Sequence, residues 1–227
     1  MSIKKTSVVL QKFIADSGYC SRRKAEELIR EGIVKINSEV AVLGTRVDDG
    51  DEVVVNGRKI EKESKLLYIA LNKPKGYLCT NKTKKGEKSV FSLVKRRERL
   101  FVVGRLDKDS RGLVILTNDG YFTYRLTHPS FSHEKEYLVE VSKNINEEVV
   151  EKMKKGVDIG EKTKAKAKEV ERIGNKKYRV ILGEGKKRQI RRMFEVFNCT
   201  VFDILRVRID KYKLGNLKES EWRFIKK

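Results

Sequence analysis

The chain has 227 residues, 39% of them apolar, and a formal net charge of +21 at pH 7, from 53 Lys+Arg against 32 Asp+Glu. That length holds one large domain or a small one beside a medium one, and the charge calls for a polyanionic partner. No apolar run reaches membrane-spanning length, the start MSIKK lacks the apolar stretch of a secretory leader, and three scattered cysteines, Cys20, Cys79 and Cys199, suit neither a disulfide framework nor a paired-cysteine zinc site, so a soluble cytoplasmic protein with small buried thiols is expected.

Val9, Leu10, Phe13 and Ile14 have helical spacing before Gly18, and Ser21 is placed to cap a second helix whose Ala25, Leu28 and Ile29 share a face before Gly32. Short strands follow at 33–36 and 52–55, with Asn56-Gly57 as a hairpin signal. Residues 1–62 therefore read as a compact helix-helix-strand domain. Arg22, Arg23 and Lys24 occupy the first turn of the second helix, where positive charge opposes the helix dipole unless an anion is bound. Free helix-start amides beside three cations suit an RNA phosphate. The charged stretch 61–65 reads as a linker.

Residues 66–227 read as an α+β sheet domain. Strand-like runs lie at 66–71, 113–116, 137–141, 178–182 and 201–209, and helical patterns near 145–155 and 188–197. The lysine-rich stretch 81–88 has almost no apolar residues and reads as a mobile loop within reach of phosphates. Charge is unevenly spread: residues 1–62 hold 12 Lys+Arg against 10 Asp+Glu, leaving 41 against 22 for the rest, so the larger part carries the field. Lys186, Lys187, Arg188, Arg191 and Arg192 crowd into seven positions around Gln189.

The apolar run Phe101-Val102-Val103 ends at Gly104, and Gly112 opens the next run, so the charged segment between them joins two strands and sets Arg105 and Asp107 at a strand end. A lone aspartate there is by default a turn former. Familiar hydrolytic sites are missing. His128 and His133 are the two histidines and do not have zinc-binding spacing, no GxSxG occurs, and Val180 stands where a phosphate loop ending in Gly185-Lys186 requires glycine.

Four motifs occur in order: NKPKG at 72–76, GRLDKDSRGL at 104–113, HEKEYLV at 133–139 and EGKKRQIRRMFE at 184–195. Together they resemble the RsuA/RluB/RluF family of pseudouridine synthases, bacterial enzymes that isomerise a specific uridine of ribosomal RNA. The N-terminal stretch CSRRKAEELIREGIVKIN resembles the RNA-binding module of ribosomal protein S-four. The resemblance implies that Asp107 is the catalytic carboxylate, as nucleophile or as base in an elimination. A carboxylate working in a water-poor pocket needs a neighbouring cation to stay ionised. By the resemblance Arg191 supplies it, with Arg188 and Arg192 as close competitors. Tyr137 is implied to stack on the target base, and Arg105 to fill the space left by the extruded nucleotide.

RNA contacts are expected from Arg22, Arg23 and Lys24, and from Lys186, Lys187, Arg188, Gln189 and Arg192; NKPKG, with Pro74 and Gly76 in a tight turn, reads first as architectural, with Lys73 and Lys75 as further contacts to backbone phosphates. The implied reaction needs neither metal nor cofactor. Its partner is ribosomal RNA; the pattern FIADSGYCSRRKAEELI leans toward the RluF-like, large-subunit (23S) branch, with the small-subunit branch open, transfer RNA as a secondary substrate, and a monomer as the working form. A rival reading is a non-catalytic ribosome-assembly factor of the same fold. Binding alone gives no chemical reason to keep Arg105, Asp107, Tyr137 and Arg191 together, and this favours the enzyme.

Overall fold

A computed structural model of the chain describes residues 7–63 and 65–227. The leader expectation on MSIKK, and Ser64 within the expected linker, lie outside the described residues. Two compact units are present: one built on the chain up to Leu67 with Arg96–Arg99 and Asn118–Gly120, the other on Tyr68–Lys95, Leu100–Thr117 and Tyr121–Lys227.

The small unit runs β1 (Val8–Val9), α1 (Leu10–Asp16), α2 (Arg22–Arg30), β2 (Val34–Ile36), β3 (Glu39–Val40), β4 (Arg46–Val47), β5 (Val53–Val55) and β6 (Arg58–Ile60). Gly18, at φ 77°, takes the chain out of α1, and the Ser21 side chain accepts the Lys24 amide at 3.2 Å to start α2. Leu10, Ile14, Ala25 and Ile29 meet Val34, Val53 and Val55 in one core. Asn56 and Gly57 both adopt positive φ, 49° and 73°, which matches a two-residue hairpin whose turn follows the strand twist. The four-stranded sheet has the order β3-β2-β5-β6.

The large unit continues with β7 (Tyr68–Lys73), β8 (Tyr77–Leu78), β9 (Lys88–Ser89), β10 (Phe101–Val103), β11 (Arg111–Thr117), α3 (Gly120–Thr127), β12 (Lys135–Val141), α4 (Glu147–Lys155), β13 (Glu169–Gly174), β14 (Lys177–Leu182), α5 (Gln189–Glu195), β15 (Val201–Ile209), β16 (Tyr212–Lys213) and β17 (Trp222–Phe224). Its nine-stranded mixed sheet is ordered β13-β14-β12-β15-β11-β7-β17, with β10 on β11 and β16 on β15. The fold is α+β, as the pattern of runs predicts.

Within the nine-stranded sheet, among the described residues, the β11–β15 contact is the parallel one, and it is short, Arg111↔Leu205 and Gly112↔Arg206; β8 and β9 form a separate two-residue parallel pair. A side chain at Gly112 would meet the Arg206 backbone at 2.4 Å, and Gly112 sits at φ 107°, so glycine alone permits the approach. The residues that β7 and β11 bury on both faces, such as Ile69, Leu71, Leu113 and Ile115, read as near-continuous apolar runs. Beyond the short strands β8, β9, β16 and β17, two longer elements were not expected from the sequence. Helix α3 buries only Phe122 and Leu126, too few for a clear periodic signal, and β13 is a charged edge strand. The first strand of the unit begins two residues later than expected, since Leu66 is exposed and the Leu67 amide bonds the Asn118 side chain. Of the cysteines only Cys199 is buried; Cys20 and Cys79 are half-buried. No described helix is long and apolar enough to cross a membrane.

Candidate active site

The segment between β10 and β11 leaves its strand through Gly104, at φ 65°, and almost every backbone acceptor along it is claimed. Arg206 is 1% exposed; its Nε donates to the Leu113 carbonyl at 2.8 Å, and its Nη atoms donate to the carbonyls of Arg105 (3.4 Å) and Gly104 (3.3 Å). The Ser110 amide closes onto the Asp107 carbonyl at 3.2 Å. The Lys108 carbonyl accepts the Gly76 amide at 2.7 Å and Lys73 Nζ at 3.4 Å. Leu106 is buried beneath the loop. The backbone carrying Asp107 is thereby fixed on four carbonyls, while its half-buried carboxylate has no side-chain partner among the described residues. A reactive group free on a rigid mount is what positioning for catalysis requires.

That carboxylate lines a cavity of about 640 Å³ with Arg105, Tyr137, Lys135, Lys186, Lys187, Arg188 and Gln189, a volume of the order that holds one small ligand and far below what a duplex needs. Tyr137 is buried in β12 at the point where pairing with β15 changes register, between Glu136 and Tyr137. Such an irregularity re-aims a strand side chain, and here it faces the cavity. Arg105 is exposed and its guanidinium has no partner among the described residues. Lys135, overlooked in the sequence, also faces the cavity; burial, and then the nearby Arg206 charge, push its ammonium below the usual lysine range.

Three sequence expectations need correction. Arg191 does not pair with Asp107. Its Nε lies 3.2 Å from Asp109 Oδ2, its Nη2 donates to the Asp109 carbonyl at 3.2 Å and its Nη1 to the Val201 carbonyl at 2.7 Å. Asp109, two residues beyond Asp107 in the same loop, is also gripped by Arg188 at 3.2 Å, so it is the acid that the two arginines hold. Lys73 does not face outward either. It is 0% exposed and its Nζ donates to the Pro74 and Lys108 carbonyls; burial pushes its pKa down, against the opposing pull of Cys79, Asp109 and Asp107.

Gln189, third, is buried rather than offered to RNA: its Nε2 donates to Glu184 and to the Lys166 carbonyl, and its Oε1 accepts the Lys186 amide. Lys186 is tied to Thr163 and the Lys164 carbonyl, and Arg192 to Glu161 and the Ile159 carbonyl. Arg192 lies off this cavity, on a smaller recess with Glu161, Lys187 and Arg188. Lys187 is exposed and unpaired among the described residues.

Arg206 and Lys135 are thus cavity-lining cations that the sequence did not single out, beside the three residues it placed differently. The signal for Arg206 was its parity with Ile204 on the buried face of β15. In the small unit Arg22, Arg23 and Lys24 are exposed in the first turn of α2; Lys24 pairs with Glu27 at 3.0 Å and Glu31 at 3.8 Å. Among the described residues no three His, Cys, Asp or Glu side chains converge as a metal site.

A family model described as RNA pseudouridylate synthase matches residues 67–196, and an S4 domain model matches residues 10–53. The dual-specificity RNA pseudouridine synthase RluF of Escherichia coli (strain K12) is 42% identical over 221 residues, which cover 96% of this chain and 75% of that protein. The ribosomal large subunit pseudouridine synthase B of Bacillus subtilis (strain 168) is 38% identical over 216 residues, covering 92% and 87%. A crystal structure of a pseudouridylate synthase superposes with a TM-score of 0.71 at 30% identity, over 97% of this chain and 96% of that one. With its loop-borne aspartate, its cavity tyrosine and an S4 domain ahead of them, the chain belongs to the RNA pseudouridylate synthase family.

Proposed function

We propose that this protein isomerises one uridine of large-subunit ribosomal RNA to pseudouridine, working as a cytoplasmic monomer. The observation that carries the reading is the free carboxylate of Asp107 on a loop whose carbonyls are tied down, facing a one-nucleotide cavity shared with Tyr137 and Arg105. The reaction breaks the bond from ribose C1′ to uracil N1, turns the detached ring, joins C1′ to C5, releases the C5 proton and places a proton on the freed N1. No electrons are gained or lost overall. Asp107 serves at the sugar, as nucleophile or as base in an elimination, and Tyr137 holds the ring face during its turn.

A base stacked in a helix is out of reach, so the target is extruded at a cost of a few kcal/mol. The free guanidinium of Arg105 takes its place in the stack. Arg191 acts one step away: through Asp109 it holds the Asp107 loop, so it is a positioning residue. Lys187 and Arg188 meet phosphates at the rim. Residues 1–62 dock the RNA through Arg22, Arg23 and Lys24, and residues 66–227 carry out the chemistry. The dual specificity in the name of the Escherichia coli relative supports a second RNA substrate, for which transfer RNA is our candidate.

Carbodiimide labelling and reverse transcription of ribosomal RNA, from cells with and without the gene, checks the reading. One pseudouridine of the large-subunit RNA disappears on deletion; identical maps overturn the proposal.

A further inference from the structure

Four aromatic rings run in one file beside the cavity, from Tyr124 of α3 to His133, two residues before β12. The Tyr124 ring centre lies 4.8 Å from that of His128 and 5.8 Å from that of Phe131. Phe131 in turn stacks on His133, 6.1 Å away with ring planes 26° apart. Aromatic rings packed this closely normally belong to a core. Here Tyr124 is 50% and Phe131 41% exposed, so the file stands open to water.

The file is also held in place. His128 Nδ1 accepts the Ser130 amide at 3.3 Å and lies 2.7 Å from Ser130 Oγ, while His133 Nδ1 sits 3.2 Å from Asp210 Oδ1. The Arg125 guanidinium lies 5.8 Å from the Phe131 ring centre and gives the surface a positive charge. His128 and His133 line the same cavity as Asp107, so the exposed rings continue its wall outward.

Exposed aromatic rings interleaved with a cation are the composition of surfaces on which single-stranded bases stack. Extruding one nucleotide leaves its neighbour without a stacking partner, and an aromatic face at the cavity mouth replaces it. We propose that Tyr124 and Phe131 form a stacking platform for an unpaired base adjoining the nucleotide in the cavity. The proposal rests on the reading of this chain as an RNA-modifying enzyme.

The test uses the full chain and two fluorescein-labelled probes, a ten-nucleotide oligouridine and an abasic ribose-phosphate chain of the same length, with affinities read by anisotropy. Phe131→Ala and Tyr124→Ala are expected to weaken oligouridine binding about five-fold or more, the low end of one stacked base. Binding of the abasic chain stays unchanged, and Phe131→Trp restores the oligouridine affinity. Unchanged oligouridine affinity, or an equal loss on both probes, overturns the platform.

Tritium release by the wild-type protein from 5-tritiated, unmodified large-subunit ribosomal RNA separates the two readings. Release together with variants that bind oligouridine normally removes the platform alone. Absence of release with the base-dependent loss intact removes the catalytic reading and keeps the RNA contact.

Discussion

The two units hold their positive charge in opposite ways. In the small unit Arg22 and Arg23 stand exposed at the start of α2 with no side-chain partner among the described residues, within a stretch that is nearly neutral overall. In the large unit, where the excess charge resides, many cations are tied to the protein itself. Lys73 and Arg206 are buried on backbone carbonyls, Arg188 and Arg191 grip Asp109, and Arg192 grips Glu161. Net charge therefore overstates what this unit offers to phosphate. Part of it is framework, and among the cavity-lining cations Arg105 and Lys187 are the ones left untied among the described residues.

The sharpest way to break the framework is at the β11–β15 junction. Gly112→Ala sets a methyl group against the Arg206 backbone at a positive φ, and overcrowding plus backbone strain destabilise the fold by about 3 kcal/mol or more. Urea unfolding measures this; a change below about 0.5 kcal/mol contradicts the assigned close approach.

A smaller effect comes from Asp203, which Arg111 and Lys75 each reach at 2.8 Å. Burial alone raises its carboxyl, but hydrogen bonds from Arg111 and Lys75 outweigh this and hold it below the usual aspartate range. Its stabilisation is present above the ordinary carboxyl pKa of about 4 and is lost as the pH falls through the lower folded value. Asp203→Asn is expected to cost about 1–2 kcal/mol at pH 7, discounted because Arg111 and Lys75 partly face water. The gap from wild type narrows below pH 4, and a gap independent of pH refutes the assignment.

The smallest effect on stability belongs to the free cations. Arg22→Ala and Arg23→Ala leave the urea midpoint nearly unchanged, within about 0.5 kcal/mol. Each lost phosphate contact flattens the log–log salt dependence of ribosomal RNA binding by about 0.7–0.9. Arg191→Ala is expected to leave that slope unaltered while slowing turnover, since Arg191 holds Asp109. If the two kinds of variant behave alike, the contrast between the units fails.

Much of this was legible in the sequence, for identifiable reasons. Strand β15 matches its apolar run from Val201 to Ile209, and the Ser21 cap and the Asn56-Gly57 hairpin are local signals that local geometry obeys. The large-unit motifs bring Arg105, Asp107 and Tyr137 to one cavity. What sequence could not convey was the direction of side chains. Lys73 ends a strand buried on both faces, so its ammonium turns inward to carbonyls rather than outward to RNA. Arg191 is one arginine among several beside two aspartates, and only the folded loop decides that Asp109 lies in its reach. Helix α3, with tyrosine and threonine diluting its apolar face, left no periodic trace, yet it supports the exposed aromatic file.

The central claim is that the free Asp107 carboxylate on its tethered loop performs the isomerisation. Joining C5 to ribose expels the C5 proton, so tritium release from 5-tritiated large-subunit ribosomal RNA reports the chemistry directly. Asp107→Asn is expected to cut release by about 10⁴-fold or more while RNA affinity stays within about two-fold of wild type. Release at the wild-type rate from the Asp107→Asn protein would contradict the account.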